Sequence, residues 1–246
     1  GHFGACAFFR SRRELENADV IVANHDLVLA DLALGGGAIL PDPADCIFIF
    51  DEGHHLPDKA LSHFAHRFAV HGCLRWLKTL KSSLTDLNQG LAVQPTIARL
   101  LAGLPELLHS LEPALGDVFS MGHQLAGREN GLADEEATHQ QRFEKGQVPE
   151  ALREQAQQLL VMFATLSRSL ESISDILRES LDPDKQTGLD RDQAETWLPL
   201  IALLHGGALE AHALWQAFSE QDAANAPPSA RWITLSRVAG EPEIEF

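Results

Sequence analysis

The apolar positions of this chain change their period near residue 60. Before it, Asp19-Val20-Ile21-Val22-Ala23 and Cys46-Ile47-Phe48-Ile49-Phe50 form two short apolar runs, each followed by a helical pattern. Runs that are continuous rather than alternating suit strands covered on both faces in a parallel sheet. Gly35-Gly36-Gly37 and Pro41-Asp42-Pro43 lie between them and mark loop. The first sixty residues therefore read as a piece of an α/β domain.

From about Leu61 to about Gln221 the strand signals give way to helical spacing. Leu152, Ala156, Leu159, Phe163, Leu166, Leu170, Ile173 and Leu177 step by four and three, predicting one helix of about 30 residues, roughly 45 Å long. Trp197, Ile201, Leu204, Ala208, Ala211, Trp215 and Phe218 repeat the pattern. The two helices are expected to pack antiparallel across the turn from Asp182-Pro183-Asp184 to Gly188. Weaker stripes predict two more: Leu74, Leu77, Leu84 and Leu87, then Ile97, Leu101, Leu104, Leu108, Leu111 and Leu115, the latter broken near Pro105 or Pro113. The polar stretch from Ser120 to Gly146 is expected to hold a helix with mobile ends. After Pro227-Pro228, residues 231–235 and 243–246 turn strand-like around Gly240-Glu241-Pro242. A strand at the last residue suggests a chain cut from a longer one.

Composition narrows the classes. At 246 residues and 45% apolar content the chain can bury a sizeable core. It has no apolar run long enough for a membrane span and no signal-peptide pattern, so the expectation is cytoplasmic with no membrane partner. Cys6, Cys46 and Cys73 are odd in number and form no CxxC pair, which argues against a disulfide framework or a self-contained zinc site. A net charge of −16 predicts weak DNA binding by the chain alone, though a local basic patch on an acidic body stays open.

The chemistry is concentrated at Ile47-Phe48-Ile49-Phe50-Asp51-Glu52-Gly53-His54-His55, where an apolar strand ends in two adjacent carboxylates. A strand tip is where open α/β sheets bind ligands. There Asp51 can hold Mg²⁺ through water, and Glu52 can orient or deprotonate the water attacking a γ-phosphate. On local sequence alone Asp51 equally suits the cap of a helix starting near Gly53.

These residues resemble the DinG branch of the superfamily 2 helicases, relatives of the xeroderma pigmentosum group D helicase. The likeness runs through Cys6-Ala7-Phe8-Phe9 with Arg12-Arg13-Glu14, residues 18–25 (ADVIVANH), Leu40-Pro41-Asp42-Pro43, and residues 50–58 (FDEGHHLPD). It continues more weakly around Arg142-Phe143, Gly146 and Arg231-Trp232. The family's box is DEAH, with Gly53 at the third position here. The resemblance implies an ATP-dependent 5′ to 3′ DNA helicase acting on single-stranded or forked DNA in DNA repair, with ATP, Mg²⁺ and a 4Fe-4S cluster in the full-length protein.

On that basis the fold is mainly α: a partial α/β, parallel-sheet remnant of motor domain 1 over 1–60, a helical arch over 61–228, and return strands over 229–246. Asp51 and Glu52 take the metal and water roles, and His54 couples the box to the motor. Cys6 becomes the fourth cluster ligand, against the plainer reading of a free thiol. The other three cluster cysteines are absent, as are a GxxxxGK[ST] phosphate loop and a late arginine-bearing motif. The chain is therefore expected to hold no intact cofactor and to be inactive as an ATPase alone.

Arg10, Arg12 and Arg13 beside Phe8 form either a single-strand grip or a solvated helix face. Asn24 and His25 either contact DNA or cap and pack a helix. His54, His55, His63, His66 and His71 are close in sequence but lack zinc-ligand spacing. The competing reading of the helical region is a protein-interaction or DNA-gating module without catalysis.

Overall fold

The structure is a computed structural model that describes residues 15, 18–127, 138–185, 187–223, 225 and 227–246. It divides into two compact units, residues 1–65 and 66–246.

In the first unit, α1 (His25–Ala33) and α2 (Leu56–Phe64) are joined by a loop. The side-chain oxygen of Asn24 accepts the Leu27 N–H at 2.8 Å, satisfying one of the free amides that open a helix. Val28 and Leu29 are buried. The three-glycine run turns the chain back with positive φ at Gly35, Gly36 and Gly37, a region open to glycine because it lacks Cβ. The buried Asp31 closes the turn by accepting the amides of Ile39 (2.6 Å) and Gly37 (3.0 Å). These bonds hold its carboxyl below the usual range, the Ile39 amide contributing most. Asp26 joins α1 to α2 through Lys59 (2.6 Å) and His63 (3.3 Å).

The two apolar runs of this unit do not show, among the described residues, the parallel sheet expected of them. Neither 19–23 nor 46–50 is paired as a strand among the described residues. Val20 is 81% exposed and Val22 95%, while Ile47, Phe48, Ile49 and Phe50 alternate at 94, 39, 91 and 37%. A strand is defined by a ladder to a neighbour, and the described residues supply neither that neighbour nor a second covering layer.

The second unit is helical. α3 (Val70–Leu91), α4 (Pro95–Gly127), α5 (Glu150–Glu179) and α6 (Arg191–Ser219) bury one apolar stripe each. The antiparallel α5–α6 pair follows the predicted spacing, with Leu152 to Leu177 and Ile201 to Phe218 in the core. α4 departs from prediction by running unbroken through Pro105 and Pro113. Both prolines lie on its exposed side, where water satisfies the carbonyls they leave unpaired. Ten buried positions from Ile97 to Ala126 hold the opposite face in place. α4 also takes up the start of the polar stretch expected to form a separate helix. Residues 128–137 lie outside the described residues, and His139–Arg142 is a strand.

That strand, β1, pairs antiparallel with β2 (Trp232–Val238), which pairs antiparallel with β3 (Glu241–Glu245) in the order β1-β2-β3. The strand-like character after Pro228 is thus realised as a hairpin on the helical unit. At its far edge Phe68 and Phe246 exchange two backbone hydrogen bonds of 3.0 Å. Their rings enter an aromatic core: Phe68 lies 4.9 Å from Trp215, and Phe246 lies 5.3 Å from Trp215 and 5.5 Å from Phe218. α3 begins at Ala69 without a side-chain cap. The buried Glu243 of β3 serves instead, accepting the His71 N–H at 2.8 Å. Among the described residues no helix is long and apolar enough to cross a membrane.

One buried cation fastens sheet to helices. Arg231, 5% exposed, donates to both carboxylate oxygens of Asp222 at 2.9 Å and to the carbonyls of Gly146 (2.9 Å), Ala217 (2.5 Å) and Glu220 (3.4 Å). The Arg231 guanidinium, helped by Ser229, lowers the Asp222 carboxyl to about 2. Because the folded value lies below the ordinary 3.8, Asp222 contributes stability that is fully present above about pH 4 and disappears as pH falls toward about 2. Asp222→Asn is expected to cost about 2–3 kcal/mol at neutral pH and to flatten that acid limb in urea titrations at several pH values. An unchanged acid limb would show that the pair contributes nothing. Gly146 sits at φ +67 with the Ser229 carbonyl oxygen crowding the place where a Cβ would stand. Gly146→Ala is therefore expected to destabilise by about 3 kcal/mol, read as a lowered urea midpoint without change of slope.

Candidate active site

The carboxylate pair stands at the end of the extended segment 46–50. Phe48 and Phe50 stack at 6.1 Å on its partly covered side, and the His25 ring lies 5.7 Å from Phe50. The His25–Phe50 contact locates the segment against the start of α1, leaving Ile47 and Ile49 open. Asp51 and Glu52 follow immediately, both exposed.

Backbone geometry separates the two carboxylates. Asp51 turns one oxygen onto the Glu52 N–H at 3.0 Å, and Glu52 occupies the left-handed region at φ 51, ψ 40. That conformation costs a non-glycine residue roughly 1–2 kcal/mol, so the neighbouring contacts must hold it. The Glu52 carbonyl accepts the His55 N–H at 3.0 Å, opening a 3₁₀ turn (Gly53–His55) that leads into α2. His54 Nδ1 lies 3.2 Å from a Glu52 carboxylate oxygen, and the His54 and His55 rings are 3.9 Å apart. Gly53 has no atom within 4 Å of a would-be Cβ, so this side of the turn is open. The helix-cap reading of Asp51 fits poorly, since its bond is to the adjacent amide ahead of the left-handed residue.

The exposed carboxylate oxygens of Asp51 and Glu52 suit a hard cation such as Mg²⁺, which keeps much of its water and needs few protein oxygens. Ligand atoms of Glu52, His54 and His55 also lie within 4.8 Å of one another, all exposed. The wider histidine group does not converge: His63 is on Asp26, and His71 faces Glu243 and the Phe119 ring.

The other candidates are placed unevenly. Asn24 acts as the cap of α1, and His25 packs on Phe50. Cys6, Phe8, Arg10, Arg12 and Arg13 lie outside the described residues. Cys46 and Cys73 are free thiols, and burial pushes Cys73 up to about 12, leaving it unreactive. Three cysteines do not make a four-thiolate cluster.

Sequence reasoning missed Asp222, whose partner Arg231 it had singled out only for likeness, and Glu243. The weakly similar stations around Arg142-Phe143, Gly146 and Arg231-Trp232 meet at one place. Arg142 pairs with Trp232, the Phe143 N–H donates to the Arg231 carbonyl at 3.0 Å, and Arg231 donates to the Gly146 carbonyl.

Comparison with known proteins matches residues 1–71 to the DEAD_2 family model. The ATP-dependent DNA helicase DinG of Photobacterium profundum is 32% identical over 231 residues, covering 93% of this chain and 31% of that protein. DinG of Salmonella choleraesuis is 30% identical over 251 residues, and that of Escherichia coli 29% over 256, each across 100% of this chain. The chain spans about a third of the length of the curated relatives it matches. The resemblance first carried by a handful of motifs thus extends along the whole sequence, which is similar to about a third of a DinG-type helicase.

Proposed function

We propose that this chain is the central part of an ATP-dependent 5′ to 3′ DNA helicase of the DinG type, contributing the Walker B box and a helical arch. The observation that carries the reading is the exposed Asp51–Glu52–His54 turn at the tip of an extended apolar segment, inside the stretch that matches DEAD_2. Asp51 would hold Mg²⁺ through water, and the ion would neutralise charge developing on the β- and γ-phosphates. Glu52 would take a proton from the attacking water. His54, 3.2 Å from the Glu52 carboxylate, orients that group and relays its position to the motor. Polarity, the single-stranded or forked substrate, the cytoplasmic location and a repair role follow from the resemblance, as does Cys6 as one ligand of a 4Fe-4S cluster.

The exposed faces of 19–23 and 46–50 support the motor reading, because unpaired apolar segments with bare faces are what one fraction of a larger sheet leaves behind. Residues 66–246 support the arch reading. Its helices share one core, and Phe68 and Phe246 are joined side by side by two backbone hydrogen bonds.

The isolated chain lacks the lysine and backbone amides of a phosphate loop, so it is expected to show no ATP turnover. Steady hydrolysis that disappears on Glu52→Gln would sink the fragment reading. In the intact helicase Glu52→Gln should lower kcat by about 10²–10⁴-fold while ATP still binds; an unaltered kcat removes Glu52 from the chemistry. The interaction-or-gating alternative draws support from the unit's acidic surface. Replacing residues 66–246 of the intact protein by a short linker should abolish or deregulate unwinding, and unwinding that survives unchanged excludes a gating role.

A further inference from the structure

We propose that His25 and Asp26, the first two residues of α1, are positioning residues for the carboxylate pair: His25 sets the segment that leads into it and Asp26 the helix that leads out. The inference rests on the nucleotide-site reading above and adds to it two groups that act through the backbone on either side of the box.

α1 is the anchored element of the first unit. Val28 and Leu29 are buried, and the buried Asp31 ties the helix to the turn at Gly37 and Ile39. α2 has no such anchor. None of its nine residues is buried, and Leu61 and Phe64 stand 53 and 50% exposed. So short a helix without a packed face is marginal by itself, and its placement falls to the polar contacts it makes.

The contacts that reach α1 converge on one carboxylate. Lys59 Nζ donates to both Asp26 oxygens, at 2.8 and 2.6 Å, and His63 Nε2 lies 3.3 Å from one of them. Lys59 and His63 are one turn apart on the same face of α2, so a single carboxylate fixes both the position of that helix and its rotation. Lys59 first and His63 next hold the Asp26 carboxyl below its usual range, which keeps it charged for both partners.

On the other side of the box the His25 ring lies 5.7 Å from Phe50, the residue before Asp51. α2 starts at Leu56, directly after the turn Gly53–His55. The stretch from Asp51 to His55 therefore spans two supports that come from adjacent residues of one helix. Within it Glu52 holds its left-handed backbone, and nothing stands within 4 Å of a would-be Gly53 Cβ. The turn has little packing of its own at that point, so its ends must hold it. Exposed ion pairs contribute little to stability. Direction matters more here, because a displacement of about 1 Å at a reacting group can lower a rate roughly 10²-fold.

The test is steady-state ATP hydrolysis by the intact helicase at varied Mg·ATP. Asp26→Asn and Lys59→Gln are each expected to lower kcat about tenfold and to leave KM within about twofold, since misplaced chemistry leaves ground-state binding intact. The double variant should be no worse than either single one, because both remove the same contact. His25→Ala should lower kcat by a similar factor. His25→Phe, which keeps a ring against Phe50 and loses the polar nitrogens, should restore most of it. Thermal midpoints should stay near that of the parent. If Asp26→Asn fails to fold, Lys59→Gln gives the same reading with α1 untouched.

Unchanged kcat in Asp26→Asn and Lys59→Gln overturns the proposal, as do losses that multiply in the double variant. A raised KM at unchanged kcat also overturns it, marking a nucleotide contact instead. His25→Phe as damaging as His25→Ala removes His25 from the role. If Glu52→Gln leaves kcat unaltered, the nucleotide-site reading falls and this one with it; if Glu52→Gln silences the enzyme while Asp26→Asn turns over normally, only the positioning role falls.

Discussion

The backbone pairing of Phe68 with Phe246 is the constraint on which the helical unit depends. Two residues 178 positions apart exchange both of their amide hydrogen bonds, and closing so long a loop costs chain entropy that local contacts do not return. The return comes from the rings. Phe68 and Phe246 enter the same cluster as Trp215, Phe218 and Phe163, with edge-on or tilted geometries at 4.9 to 6.3 Å. Each buried aromatic contributes a few kcal/mol of transfer free energy, plus about 0.5–1.5 kcal/mol per well-oriented pair. The hydrogen bonds then give direction to what the rings hold together.

Several polar features depend on that closure. β3 reaches Phe68 only because the hairpin β2–β3 is anchored on the helices, and this places Glu243 over the amides that open α3. Gly122 of α4 has no Cβ to meet Ile244 at 2.7 Å and Phe246 at 3.1 Å, so helix and strand approach closely there. At the other end of β2, Arg231 spends its guanidinium on Asp222 and three carbonyls from two separate segments. A buried cation without those partners would be strongly destabilising. The small sheet thus works as a clasp on a helical bundle whose own core is continuous from Phe68 to Phe246.

The helices were legible in the sequence because their stripes are long. Eight positions stepping by three and four in α5, and seven in α6, leave little room for another period. The prolines of α4 misled because a local rule about backbone donors says nothing of a face with ten buried positions. β1 (HQQR) was not legible, since a short polar edge strand owes its state to Gln141 and Arg142 lying beside Ile233 and Trp232. Of the candidate site, the carboxylates were legible as a motif and the left-handed turn at Glu52 was not. Asp222 escaped because its importance lies in a partner nine positions on, across a loop of mostly Ala and Pro that carries no periodic signal.

The two units differ in how completely they satisfy themselves, and that difference bears on function. The helical unit buries most of its large apolar residues among the described ones and joins Phe68 to Phe246. The first unit leaves Val20, Val22, Ile47 and Ile49 more than four-fifths exposed on two extended segments, yet holds Glu52 in a conformation costing roughly 1–2 kcal/mol. An exposed residue in the left-handed region beside two uncovered extended segments is a poor arrangement for a self-sufficient domain. Neighbouring strands would fix the direction of 46–50, and with it the direction in which the two carboxylates point. On the proposed reading the direction of Asp51 and Glu52 depends on what covers 46–50, whereas residues 66–246 already hold a continuous core of their own.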